Sequence, residues 1–289
     1  MAKGIDKDSK KRKTKLTNWS GGLHKSFRLL SSTKQSNADL LAFLNSPPGT
    51  HRSEVLARLP YEQSRSGSRT PRKGPDDKRY RDLKQVLETC GLIWEDDAGC
   101  IQFTEFGTAL RNFMPHATRR NIVLVAQYAA FGLTACQLRN PTGAGRRYAS
   151  SMEVFPFRFL WDAMLKLDNR IDSDELNRAI FRTTNAESLA EAITKIRSYR
   201  KNGNITDLGE EVLTDPKKND RLIPMVSIAA FGWALINRKD ESGYYKVKDE
   251  CVRLLEAAVS LPVKHRQYDS VQSYVTAISN AACLPKDYR

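Results

Sequence analysis

Eight cations stand within the twenty residues 65–84: Arg65, Arg69, Arg72, Lys73, Lys78, Arg79, Arg81 and Lys84. At this density such side chains line up along a row of phosphates, and an arginine can also grip two acceptors on a guanine edge. The glycine and serines between Arg65 and Arg69 let the backbone follow a curved anionic track. Two further pairs, Arg119-Arg120 and Arg146-Arg147, lie in a stretch, 111–147, with six bases and no acid. They can form a second phosphate-contacting strip or simply sit at helix ends. Tyr148, beside the second pair, can stack on a base or pack inward.

The wider charge distribution follows the same bias. The chain of 289 residues carries a net +14, with 26 bases against 13 acids in residues 1–151 and 21 against 20 in residues 152–289. A uniformly basic surface would serve solubility, which needs no such asymmetry. Segregation of the excess into one half points to an extended anionic partner, with double-stranded DNA favoured over an acidic protein or structured RNA.

Other chemistries find little support. Five cysteines (Cys90, Cys100, Cys136, Cys251, Cys283) are widely spaced with no CxxC, and His24, His51, His116 and His265 are isolated. Buried free thiols are expected rather than a metal site or disulfides. Pro75-Asp76-Asp77-Lys78 has the letters of a nuclease metal motif, but it opens a helix and lacks the apolar strand that would hold them. The Gly turn Thr142-Gly143-Ala144-Gly145 lacks the Lys-Ser/Thr of a phosphate loop. No catalytic residue, metal or cofactor is therefore expected. With no leader and no long apolar segment, a cytoplasmic, nucleoid-associated protein without membrane contact is the expectation.

The elements that must position the cations are readable. Residues 1–36 form a basic arm centred on Lys10-Lys11-Arg12-Lys13, expected to be partly disordered because its start has almost nothing apolar to bury. Asn37 is placed to cap a helix from 38 to 45, broken by Pro47-Pro48-Gly49, and Thr50 to cap a second from His51 to Leu59. After the loop 62–75, the spacing Tyr80, Leu83, Val86, Leu87 predicts a third helix from about Asp77, ending at Gly91. Its opposite face carries the cations. Leu92–Glu95 and Cys100–Thr104 alternate as two strands of a hairpin turned at Asp97-Ala98-Gly99.

Helix, helix, helix and hairpin, closing on Cys90-Gly91-Leu92-Ile93 and Ile101-Gln102-Phe103-Thr104-Glu105-Phe106-Gly107, resembles a winged-helix domain. The resemblance implies that the third helix enters the major groove and that the wing touches the backbone. Glu95, Asp96 and Asp97 at the wing tip run against the second implication, since phosphate would repel them. A winged helix used for protein contacts stays open.

Residues 152–289 repeat the order. Helices are expected from Phe157 to Leu167, from Asp172, from Ala186 to Lys201 and from Leu222 to Asn237. Tyr244–Val247 should return as a strand, Asp249 should open another helix, and an amphipathic segment should close the chain at 267–284. With Glu175-Leu176, Arg197, Gly232 and Tyr245, this arrangement resembles the recognition portion of AlwI-like and FokI-like type IIS restriction endonucleases, without their nuclease domain.

The expected fold is thus mainly α: tandem winged-helix modules (helix-turn-helix plus β-hairpin) with extra helices. Residues 37–151 form the DNA-binding module and 152–289 a helical, winged-helix-like module. The expected function is sequence-recognising duplex DNA binding, as a specificity subunit of a restriction or phage-defence system. A nuclease or ATPase subunit would dock on 152–289. A transcription or replication regulator, and a nuclease with an unrecognised metal site, are the competing expectations.

Overall fold

A computed structural model describes residues 15–19, 43–58, 77–113, 126, 129–143, 145–214, 217–231 and 233–282. Among the described residues the fold is mainly helical with two small sheets. Within residues 43–113 the order is β1 (Thr50–His51), α1 (Arg52–Arg58), α2 (Asp77–Thr89), β2 (Ile93–Glu95), β3 (Cys100–Phe103) and α3 (Glu105–Phe113). The strands form an antiparallel sheet in the order β1-β3-β2, with Thr50 opposite Ile101 and Trp94 opposite Gln102.

Helix α2 forms as its spacing predicts: Tyr80, Leu83, Val86 and Leu87 are all buried. It stops at Gly91, whose φ of +75° favours glycine, and the Leu92 amide closes the end on the Leu87 carbonyl at 2.9 Å. The strands then meet α3 at a tight crossing. Thr104 Oγ1 donates to the Gly91 carbonyl and accepts from the Gly107 amide, at 2.7 and 2.9 Å. A Cβ on Gly107 would overlap the Leu92 backbone. These contacts explain why the segment reads Thr-Glu-Phe-Gly. Thr50, expected as a helix cap, instead lies in β1 with its hydroxyl on the Pro47 carbonyl at 2.7 Å, and the helix begins two residues later.

The second region runs α4 (Pro156–Lys166), β4 (Arg170–Ile171), a π-helical turn (Glu175–Ala179) leading into a 3-10 turn (Ile180–Arg182), and α5 (Ala186–Asn202). It continues through α6 (Lys217–Ala229), β5 (Ile236–Asn237), β6 (Tyr245–Val247) and α7 (Val252–Ser260) to α8 (Val271–Ala281). Its sheet has the order β4-β6-β5, again with the returning strand central and antiparallel to both neighbours. Asn185 and Ser188 form a reciprocal capping box on α5, and Gly203 ends that helix at φ +72°.

Two expected helices differ. The helix expected to reach Asn237 ends at Ala229, and Phe231 and Trp233 take positive φ angles of 42° and 70°. Ending early frees Ile236 to pair with Val247 in the sheet. The helix expected from Asp172 does begin there, with Asp172 Oδ1 accepting the amides of Asp174 and Glu175 at 2.8 Å as a cap, but it winds on as a π-helical turn over Glu175–Ala179.

Packing joins the two regions through the chain's outer segments. Helix α8 lies on the first module: Phe106 donates its amide to Ser279 Oγ at 3.0 Å, and the Tyr274 hydroxyl donates to the Thr89 carbonyl at 3.2 Å. Trp19 goes the other way, with Nε1 on the Thr183 carbonyl at 2.9 Å and its ring stacked on Phe181. In the segment from Asn140 to Ser151, whose glycines and paired arginines suggest a linker, Asn140, Thr142 and Tyr148 are buried.

Candidate nucleic-acid interface

The sequence places its densest cations just before and at the start of α2. Arg65, Arg69, Arg72, Lys73, Arg119 and Arg120 lie outside the described residues. Lys78 and Arg79 belong to the first turn of α2, next to the helix N-terminus whose free amides favour an anion. Arg81 is exposed on the same helix. Lys84 is half-buried and directed at the hairpin: its ammonium sits 2.9 Å from Glu95 Oε2 and 3.9 Å from Glu88 Oε1. Lys84 therefore holds the hairpin to the helix.

That contact changes the meaning of the acidic wing. Glu95 Oε2 also accepts the Tyr80 hydroxyl at 2.9 Å. Asp96 folds the turn, its Oδ1 accepting the amides of Ala98 and Cys100 and its Oδ2 accepting Gln102 Nε2 at 2.8 Å. Those bonds hold its carboxyl below the ordinary value, the Gln102 bond most of all. Of the three acids, Asp97 is the exposed one at the tip.

Behind the hairpin lies Glu88, buried at 5% exposure. Burial pushes its carboxyl up to about 7, against the pull of Lys84 and Arg146. The field of Arg146 at Glu88 links the far end of α2 to the second cationic site. Arg146 and Arg147 are exposed on the short turn Gly145–Arg147. The turn is set by Asn140, whose Oδ1 accepts the Thr142 amide at 2.9 Å, and a Cβ on Gly145 would overlap Asn140. Lys15 donates to the Arg146 carbonyl at 2.5 Å, and Leu16 bridges to Tyr148. Lys15, Arg146 and Arg147 thus share one turn, with Arg146 acting on Glu88 of α2 and Tyr148 packed inward.

The second sheet carries a basic and aromatic cluster that composition alone concealed. Arg170 and Arg200 lie over the Tyr244 ring at 4.8 and 5.4 Å. Arg238 lies over Trp233 at 5.2 Å and Lys239 over Tyr245 at 5.7 Å. The fully buried Glu175 fixes Arg200 through two bonds of 2.7 and 2.9 Å, the carbonyls of Leu167 and Arg170 accept one more each, and Asp168 Oδ2 lies 3.6 Å from Nη1. The sequence signal was available: Asp240-Glu241-Ser242-Gly243 echoes Asp96-Asp97-Ala98-Gly99.

Nothing in the described residues assembles a metal site: no group of three or more His, Cys, Asp or Glu is placed to hold an ion. Cys90, Cys136 and Cys251 are buried free thiols, and burial pushes Cys90 up to about 12. No described helix is long and apolar enough to cross a membrane.

No protein-family model matches the chain, and no curated protein matches it by sequence. Among solved structures it is similar to the BpuJ1 endonuclease binding domain, determined in complex with pyrene- and phenanthrene-modified DNA. The match covers 83% of this chain and 90% of that one, at a TM-score of 0.53 and 10% sequence identity. The likeness establishes a shared fold.

Proposed function

We propose that the chain is a sequence-recognising duplex DNA-binding protein, built as tandem winged-helix modules. The observation that carries the reading is the placement of the cations. The charge excess lies before residue 152, and within it the start of α2 is the helix end that a winged helix presents to the major groove. The strand–helix–helix–hairpin order with sheet order β1-β3-β2 supports that assignment, as does the likeness to a domain solved on DNA.

The acids of the wing bear on which part of the module meets DNA. Glu95 and Asp96 are spent on internal bonds, so the hairpin braces α2 and leaves DNA contact to the helix and the loop before it. Lys78, Arg79 and Arg81 are the base-reading candidates, while Arg65, Arg69, Arg72, Lys73, Arg119, Arg120, Arg146 and Arg147 serve the backbone. The role that fits is a specificity subunit of a restriction or phage-defence system, with catalysis supplied by a nuclease or ATPase subunit docked on 152–289.

Selection of bound fragments from random duplex DNA at physiological salt tests the reading. A defined motif is expected. Gel shifts in which Arg72→Ala, Lys73→Ala and Arg79→Ala bind as well as the parent would refute it.

A further inference from the structure

Two hairpins share one turn but not one charge. The first, from Ile93 to Phe103, contains Glu95, Asp96 and Asp97 and no cation; the second, from Ile236 to Val247, contains Arg238, Lys239 and Lys246 against Asp240 and Glu241. The register sharpens the contrast. Arg170 on β4 stands opposite Lys246 on β6, which stands opposite Asn237 on β5, and all three are exposed. The alternate residues Ile171, Tyr245, Val247 and Ile236 face the core.

Like charges directly opposite on neighbouring strands destabilise a sheet. Asp249 lies 3.7 Å from Lys246 across an exposed surface where such a pair contributes little, and of the two acids at the hairpin tip, Asp240 and Glu241, Asp240 is engaged by the Ser242 hydroxyl and the Tyr244 amide. The cations are also held in place. Arg170 rests on Tyr244, Arg238 on Trp233 and Lys239 on Tyr245. A cation drawn to a ring face is restricted in where its head group lies, so the charge stays at this surface. Trp233 occupies the left-handed region at φ +70°, a conformation unfavourable for a tryptophan, and its ring stacks on Tyr245 beneath this cluster.

We propose that the Arg170–Lys246 row, extended at the hairpin by Arg238 and Lys239, is a second contact with the phosphate backbone of duplex DNA. It lies in the half of the chain whose balanced charge conceals it. The inference rests on the DNA-binding reading and adds to it a site and a kind of contact. Backbone contact is assigned because the row is a line of exposed cations on one sheet face, suited to successive phosphates, so every duplex sequence should gain equally.

The test is fluorescence anisotropy of the full chain on duplex DNA over a series of salt concentrations. Arg170→Gln/Lys246→Gln is compared with the parent and with Lys264→Gln, which removes an exposed charge on the segment after α7. The double variant should weaken binding to all duplex sequences alike and reduce the salt slope by about two, roughly one per phosphate contact. Its melting temperature should hold or rise, because the opposed cations are gone. Affinity and slope equal to the parent's, or an equal loss in Lys264→Gln, would overturn the site while leaving the DNA-binding reading intact. A parent that binds no duplex overturns both. Displacement by structured RNA well below the concentration of competing duplex overturns the choice of ligand.

Discussion

Asp96 Oδ1 accepts the Cys100 amide at 2.9 Å, and Asp240 Oδ1 accepts the Tyr244 amide at 3.1 Å, each carboxylate holding the residue four places on. The backbones match as well. Gly99 and Gly243 donate to the carbonyls of Asp96 and Asp240 at 2.9 and 3.0 Å, and both glycines take positive φ, +78° and +84°. The Asp96 and Asp240 amides bond in turn to the carbonyls of Cys100 and Tyr244. One turn design therefore closes both hairpins.

Both carboxyls are held below the ordinary value of 3.8, by Gln102 first at Asp96 and by Ser242 first at Asp240. A depressed carboxyl stabilises the fold above its unfolded value and loses that contribution as pH falls through the folded one. Asp96→Ala and Asp240→Ala should each lower the melting temperature at neutral pH and flatten its decline in acid. Thermal unfolding followed between neutral pH and pH ~3 measures both effects.

Glu88 has the opposite sign. Its carboxyl is raised from 4.5 to about 7, chiefly by burial, so the folded state prefers the protonated form. Stability is fullest below the unfolded value and declines as pH rises through 7. Glu88→Gln removes that decline, and the variant should exceed the parent in mild alkali by up to roughly 3 kcal/mol. Urea titrations at mildly acidic and mildly alkaline pH would show it, and a parent with a flat profile would contradict it.

Arg200 and Glu175 form the most enclosed ion pair described, with the Glu175 side chain fully buried and that of Arg200 at 13% exposure. Removing one partner leaves a charge without compensation. Arg200→Met should cost about 3–5 kcal/mol, whereas Glu175→Leu/Arg200→Met should recover part of the loss, because two apolar groups replace the pair. Denaturant midpoints of the single and double variants separate a charge effect from lost packing.

The parts of this fold that were legible in sequence are those whose signal is local. Tyr80, Leu83, Val86 and Leu87 mark one face of α2 by spacing alone, and the first hairpin follows from alternation around a glycine turn. Strands of two residues, such as Thr50–His51 and Arg170–Ile171, are too short to carry a period. The break after Ala229 was hidden because Phe231, Trp233, Ala234 and Leu235 continue a helical apolar pattern. The helix gives way there through Phe231 and Trp233 at positive φ, Ile236 joins the sheet, and the Trp161 indole takes up the Ala229 carbonyl at 3.1 Å. Charge bookkeeping located the basic half but missed the second sheet, where acids at 240, 241, 249 and 250 offset the cations in any count.

Gly107 tests the junction between hairpin and α3. A methyl group there would strike the Leu92 carbonyl, which is backbone and cannot rotate aside. Gly107→Ala should therefore cost about 1–3 kcal/mol, within the range of overpacked cores. Gly143→Ala, where a Cβ meets nothing within 4 Å, serves as the matched control and should change little. Circular dichroism melts of the pair suffice.

Arg146 and Arg147 bear on DNA contact without the fold as a confounder, because both side chains are exposed while Asn140 and the Leu16–Tyr148 bridge hold the turn through the backbone. Arg146→Ala/Arg147→Ala should leave the melting temperature near the parent's and reduce the salt slope of duplex binding by about one to two. The sequence dependence of the loss distinguishes the two roles. An equal loss on a selected motif and on random duplex assigns the pair to the backbone, as proposed. A loss confined to the selected motif would make them base readers, and full retention of affinity and slope would remove this turn from the interface.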